Sequence, residues 1–180
     1  MSAFSVVMAD PPWPFADKLP GKGRGAAKHY HLLAMEGICG FPLPPLADDC
    51  ALLLWRVASM QQEALDVVKA WGFTLKTEIV WRKTTKTGKR HFGMGRTVRA
   101  EHETCLIAVR GKPIVKDKGI RSTFDAQAGV HSAKPIEIYE IAERLYDGPF
   151  LSVFDRRQRD GWTCIGDQAD AAVPYAGAAQ

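Results

Sequence analysis

Short apolar runs that are too continuous for a one-sided sheet set the strongest limit on how this chain folds. Residues 4 to 9 (Phe-Ser-Val-Val-Met-Ala) and 50 to 57 (Cys-Ala-Leu-Leu-Leu-Trp-Arg-Val) have the pattern of strands buried on both faces. Residues 73 to 82 and 103 to 110 alternate and then turn apolar, 150 to 154 and 162 to 165 are shorter runs of the same kind, and each is predicted to be a strand. Helical spacing interrupts them. Ser59-Met60-Gln61-Gln62 has the form of a capping box, followed by Ala64, Val67, Val68 and Trp71 at i, i+3, i+4, i+7, with Gly72 closing the helix. A second helix is predicted to start near Pro135, a residue favoured at the first helical position, with Ile138, Ile141, Ala142 and Leu145 on one face. Strands interleaved with helices give an α/β layer fold, and in such folds ligands bind outside the carboxyl ends of the strands.

Size and composition narrow this further. A chain of 180 residues with 46% hydrophobic content fills one core and not two, so a single domain over residues 1–168 is expected, with a frayed tail from Ala169. No stretch reaches the roughly 20 apolar residues of a membrane span, and the N-terminus lacks a signal-peptide pattern, so the expected location is cytoplasmic. Cys39, Cys50, Cys105 and Cys164 are scattered, which fits reduced, buried thiols better than a metal or redox centre. No metal site is expected. The net charge of +4 permits a polyanionic partner without requiring one.

Asp10-Pro11-Pro12-Trp13 follows the first predicted strand, where a ligand-binding loop belongs. The prolines fix their own φ and push each preceding residue into extended geometry, leaving a stiff polar rim. An ionised Asp is an acceptor only and can grip an amino group through N–H, while Trp13 offers a flat face for a base. Together they suit an exocyclic amine on an aromatic ring.

The blocks Val-Val-Met-Ala-Asp-Pro-Pro-Trp (6 to 13), Leu-Leu-Leu-Trp (52 to 55), Glu-Ile-Val-Trp-Arg-Lys (78 to 83), Cys-Leu-Ile-Ala-Val-Arg-Gly-Lys-Pro (105 to 113), His-Ser-Ala-Lys-Pro-Ile-Glu-Ile-Tyr (131 to 139) and Gly-Trp-Thr-Cys-Ile-Gly-Asp-Gln (161 to 168) resemble, in order, those of the MT-A70 family of S-adenosylmethionine-dependent N6-adenine methyltransferases. The resemblance implies a Rossmann-like methyltransferase fold: a central, mostly parallel sheet with helices on both faces and permuted motif order, the catalytic loop first. It implies that Asp10 accepts a hydrogen of the target amine, that the Pro11 carbonyl accepts the other, and that Pro12 and Trp13 complete the catalytic loop, with Trp13 packed on the adenine. By the same resemblance Lys134 holds the methionine carboxylate of S-adenosylmethionine. Arg156, Asp167 and Gln168 contact its ribose and adenine, with Asp10 also at the cofactor, and Tyr30 shapes the adenine pocket.

Residues 82 to 99 carry a run of Lys and Arg without an acidic residue, with Phe92 interleaved. This stretch reads as a flexible loop suited to a phosphate backbone, with Lys83, Lys86, Lys89, Arg90 and Arg96 as substrate contacts. Residues 18 to 28 are the expected second jaw. An adenine in a duplex must be flipped out or presented on a single strand to reach such a site. DNA is the first substrate expected, from the compactness of the chain, and RNA the second. A non-catalytic nucleic-acid-binding subunit and a protein-glutamine methyltransferase are the other classes. The former usually loses the acid and aromatic that stand here as Asp10 and Trp13, and the latter uses Asn in place of Asp. Homo- or hetero-oligomeric assembly is left open. Glu101-His102-Glu103 is read as a structural pairing with nearby arginines, and Trp55, Trp71 and Trp81 as core.

Overall fold

The structure is a computed structural model that describes residues 3–14, 33–93, 95, 97–129, 133–155 and 158–166. Its elements are β1 (Phe4–Ala9), α1 (Met35–Cys39), β2 (Leu46–Arg56), α2 (Gln61–Ala70), β3 (Thr74–Thr84), β4 (His102–Arg110), β5 (Thr123–Gln127), α3 (Glu137–Leu145), β6 (Phe150–Val153) and β7 (Trp162–Ile165). The strands make one seven-stranded sheet in the order β5-β3-β4-β2-β1-β6-β7. β1 pairs in parallel with β2 and β6, as do β3 with β5 and β6 with β7, while β4 runs antiparallel to both β2 and β3. The sheet is therefore mostly parallel, as expected, with one reversed strand near its middle.

Alternation along the inner strands sorts the core into two layers. Val7, Leu52, Leu54, Leu106 and Leu151 face one side, where Ala64, Val67 and Val68 of α2 and Ile38 of α1 cover them. Val6, Met8, Leu53, Trp55, Cys105 and Ile107 face the other, under Ile138, Tyr139, Ala142 and Leu145 of α3. Both faces of the inner strands are thus dry, which is why their sequences read as unbroken apolar runs. Each fully buried Leu or Val contributes about 1.5–3 kcal/mol of transfer free energy.

Some local expectations shift. The α2 helix begins at Gln61 with Met60 as its cap, and no side chain caps it, so the Ser59 capping box does not form. Gly72 does end it, at φ +81°, a backbone region that only glycine enters freely. Pro135 lies just ahead of the cap of α3, Ile136, rather than inside the first turn. The short α1 and β5 were not anticipated. No helix among the described residues is long and apolar enough to cross a membrane.

Candidate active site

Period-two alternation brings the chemistry to one place. On β1, Val6 and Met8 face the α3 layer, and the next residue in that phase is Asp10. On β3, Ile79 and Trp81 lead in the same phase to Lys83, and on β4, Ile107 and Cys105 lead back to Glu103. Because β4 is antiparallel to its neighbours, its first residues lie beside the last residues of β2 and β3, with Arg56 opposite Thr104 and Arg82 opposite His102. A residue from a strand's start thereby joins residues from strand ends at the carboxyl edge of the sheet.

Lys134, just ahead of α3, closes the group. Its Nζ lies 2.9 Å from Asp10 Oδ2 and 3.2 Å from Glu103 Oε2, while Lys83 Nζ lies 2.5 Å from Glu103 Oε1. Charges alternate along Asp10, Lys134, Glu103 and Lys83, so the cluster is neutral as a whole. Trp55 and Trp81 form its floor: Lys134 Nζ sits 5.4 Å from the Trp55 ring centre and Lys83 Nζ 5.1 Å from that of Trp81, and the two rings meet edge-to-face at 6.3 Å. Burial pulls the Lys134 ammonium down, yet the carboxylates of Asp10 and Glu103 outweigh it and push the group up to about 12. For Glu103, burial acts upward, but the ammonium groups of Lys134 and Lys83 prevail and hold its carboxyl below the ordinary range. Lys134 is a fixed cation. An ammonium has three N–H donors, of which Asp10 and Glu103 engage two.

The Asp10 loop is stiff for reasons beyond its prolines. The Asp10 N–H donates to the Val153 carbonyl at 3.4 Å, the Trp13 N–H to Pro11 O at 2.8 Å, and the Leu33 N–H to Pro12 O at 3.3 Å. Trp13 departs from the expected open platform. Its ring is 3% exposed and packs in the layer shared with α2, and its Nε1–H donates to the Trp55 carbonyl at 3.1 Å. The indole pins the loop to the end of β2. The Pro11 carbonyl, expected to accept from the substrate, already accepts from Trp13 and retains a second lone pair.

Residues 83–91 of the basic stretch form a hairpin where a flexible loop is expected. The Thr85 N–H donates to Lys89 O at 2.8 Å and the His91 N–H to Lys83 O at 3.0 Å, around a turn that places Gly88 at φ +77°. Lys86 and Lys89 are exposed near its tip. Arg90 is not a free phosphate contact: its Nη1 and the Nη2 of Arg82 each lie 2.9 Å from an oxygen of Asp125 on β5. Lys83 is likewise committed to Glu103. Tyr30, Arg96, Arg156, Asp167, Gln168 and residues 18–28 lie outside the described residues. Glu103, read as a partner of arginines, belongs instead to the lysine cluster at the site; its shared phase with Cys105 and Ile107 gives its face of the sheet but not the strand direction that brings it to this edge. Cys50, Cys105 and Cys164 are buried and Cys39 half-buried, all with free thiols that burial pushes upward.

A mostly parallel α/β sheet with helices on both faces and a stiff acid-Pro-Pro loop at the carboxyl end of its inner strand β1 defines the class of Rossmann-like methyltransferase folds. Within that class, the MT-A70 family profile matches residues 4–168, so the chain belongs to the MT-A70 family. It is similar to the human N(6)-adenosine-methyltransferase catalytic subunit METTL3, 31% identical over 177 residues that cover 94% of this chain and 29% of the relative. It is 30% identical to the Drosophila melanogaster N(6)-adenosine-methyltransferase MT-A70-like protein, with 94% and 28% covered. Similarity extends to a probable N(6)-adenosine-methyltransferase MT-A70-like protein of rice, 28% identical with 93% and 23% covered. The chain spans less than a third of the length of these relatives.

Proposed function

We propose that this chain is an S-adenosylmethionine-dependent methyltransferase that modifies the exocyclic N6 amine of adenine in a nucleic acid. The observation that carries the reading is the Asp10 carboxylate at the carboxyl end of β1, held through Oδ2 by Lys134 and presented by a loop pinned at Trp13. The donor set suits the cofactor. S-adenosylmethionine bears a carboxylate, an ammonium and a sulfonium, and it supplies an electrophilic methyl group when bound. Lys134 offers a permanent cation for the carboxylate, and Arg156, Asp167 and Gln168 are assigned to the nucleoside half by resemblance.

This chain's own part is positioning and charge. Asp10 keeps lone pairs beyond the one engaged by Lys134, and with these it accepts a hydrogen of the target amine and offsets the positive charge that grows on nitrogen. The second lone pair of Pro11 O accepts the other hydrogen, which favours a more tetrahedral and more nucleophilic nitrogen. Lys134 fixes the orientation of the Asp10 carboxylate through their ion pair at Oδ2. Lys86 and Lys89 on the hairpin supply sequence-independent attraction for the phosphate backbone. DNA is the first substrate of this reading and RNA the second, the latter supported by the adenosine named in the relatives' activities.

The test is transfer of a labelled methyl group from S-adenosylmethionine to matched DNA and RNA oligonucleotides, single- and double-stranded. Asp10→Ala is expected to lower transfer to adenine N6 by on the order of 10²–10³ or more while cofactor affinity stays within several-fold. Near-wild-type transfer by that variant would contradict the assignment, and the preferred oligonucleotide decides between DNA and RNA.

A further inference from the structure

The carboxyl end of β6 is built around a polar group that the reading above leaves unused. Ser152 is 2% exposed on a strand whose neighbours Leu151 and Val153 are wholly apolar. Its Oγ–H donates to Asp155 Oδ2 at 2.5 Å, and the Tyr139 hydroxyl from α3 donates to the same oxygen at 3.0 Å. Burial, and then the Asp155 charge, push the Tyr139 hydroxyl far upward, so it remains a donor across the working range of pH. Between Ser152 and Asp155 the backbone turns: Phe154 sits at φ +61°, a region costly for a bulky side chain, with its ring edge-on to Phe41 at 4.5 Å. Strain of this kind persists only where the surroundings over-determine it.

They do so here from several sides. The Asp155 N–H donates to Ile165 O at 3.1 Å, and Gly166 lies so close that a Cβ on it would stand 2.4 Å from the Asp155 carbonyl oxygen. The Arg159 guanidinium stacks 3.7 Å above the Tyr139 ring, whose edge meets Trp162 at 5.0 Å. The turn that results stands next to the Asp10 loop, because the Asp10 N–H is bonded to the Val153 carbonyl two residues before Asp155.

We propose that Tyr139 and Ser152 are positioning residues for the cofactor, acting through Asp155 to fix the turn at the end of β6 against which S-adenosylmethionine binds. This rests on the proposed function, which assigns the cofactor to the site at Asp10, whose N–H is bonded to the Val153 carbonyl at the end of β6. Two hydroxyls on one carboxylate oxygen set the direction in which the chain leaves the strand, so removing either loosens the cofactor site while leaving Asp10 and Lys134 in place.

The experiment compares the full chain with Tyr139→Phe, Ser152→Val and Ser152→Thr, the last two differing only in the hydroxyl. Affinity for S-adenosylmethionine is measured by calorimetry, transfer kinetics are measured on the preferred oligonucleotide, and thermal unfolding is recorded for each protein. Tyr139→Phe and Ser152→Val are expected to weaken cofactor affinity and raise its KM by about fivefold or more with kcat within about twofold, while Ser152→Thr stays near wild type. Unchanged affinity in Tyr139→Phe and Ser152→Val, or an equal loss in Ser152→Thr and Ser152→Val, overturns the inference and leaves the proposed function standing. A folded wild-type protein that does not bind S-adenosylmethionine overturns both.

Discussion

Lys134 shares its ammonium between two acids, so the cation beside Asp10 is itself held in place by Glu103. The consequence for stability has a definite sign on each side of neutrality. Lys134 is raised from 10.5 to about 12, so its contribution is complete below pH 10.5 and is lost as pH rises through about 12. Glu103 is lowered from 4.5, so its contribution is present above that pH and is lost as pH falls through the depressed value. Between these limits the cluster contributes a constant amount. Glu103→Gln leaves Lys83 without its acid and gives Lys134 to Asp10 alone, an expected cost of about 1–3 kcal/mol at neutral pH, below the 3–5 kcal/mol typical of a fully buried pair because these groups are partly hydrated. The difference between variant and wild type should shrink in acid, as pH falls through the depressed value at which wild-type Glu103 also becomes protonated. Thermal unfolding of both proteins over a pH series checks this; a gap that stays constant into acid would show that Glu103 stabilises the fold by packing and not by charge.

At the scale of elements, the hairpin after β3 and the short strand β5 act together. Asp125 places its two oxygens on Arg82 and Arg90, tying the hairpin's return strand to the edge of the sheet. The three side chains are roughly half exposed, so the pairs stabilise by only about 0–1 kcal/mol each. Their larger effect is on the field that a polyanion meets. Asp125→Asn is expected to tighten nucleic-acid binding and steepen its dependence on salt by about one counterion, whereas Lys86→Ala and Lys89→Ala should each weaken binding and reduce the slope by about one. Fluorescence anisotropy across a salt series separates these directions, and weaker binding by Asp125→Asn would mean that the pairs serve to shape the hairpin rather than to mask its charge. None of this was legible in residues 82–99 alone. The stretch contains no acid, and the one that matters enters from β5, whose sequence Thr-Phe-Asp-Ala-Gln buries only Ala126 and so carries no strand pattern. Trp81 makes that strand by tertiary contact, its Nε1–H donating to the Ala126 carbonyl at 2.9 Å. The five-residue α1 was hidden for a similar reason, since Ile38 is its one buried side chain.

Across the whole molecule, the sheet separates stability from chemistry along its strands. The inner strands were readable because burial on both faces leaves a continuous apolar run, and Asp10 was readable because an acid and two prolines interrupt such a run where strands end. The cluster around Asp10 was less so. Its membership depends on β4 being antiparallel, which brings Glu103 from a strand's beginning to the edge where the others finish, and no local pattern in 103–110 encodes a direction. The opposite edge gives the complementary test. There, Asp49 near the start of β2 accepts the Lys112 N–H at 2.7 Å through Oδ1, fastening the turn at Gly111 that leaves β4 at φ +62°. Asp49→Ala removes that bond and is expected to cost about 1 kcal/mol of stability, with kcat and the KM values for cofactor and oligonucleotide unchanged at a temperature where the variant is folded. Unfolding midpoints and transfer kinetics on one preparation decide it. A shift in KM or kcat beyond about twofold, with folding intact, would mean that the two edges are coupled through the sheet and that the chemistry is not confined to the carboxyl ends of its strands.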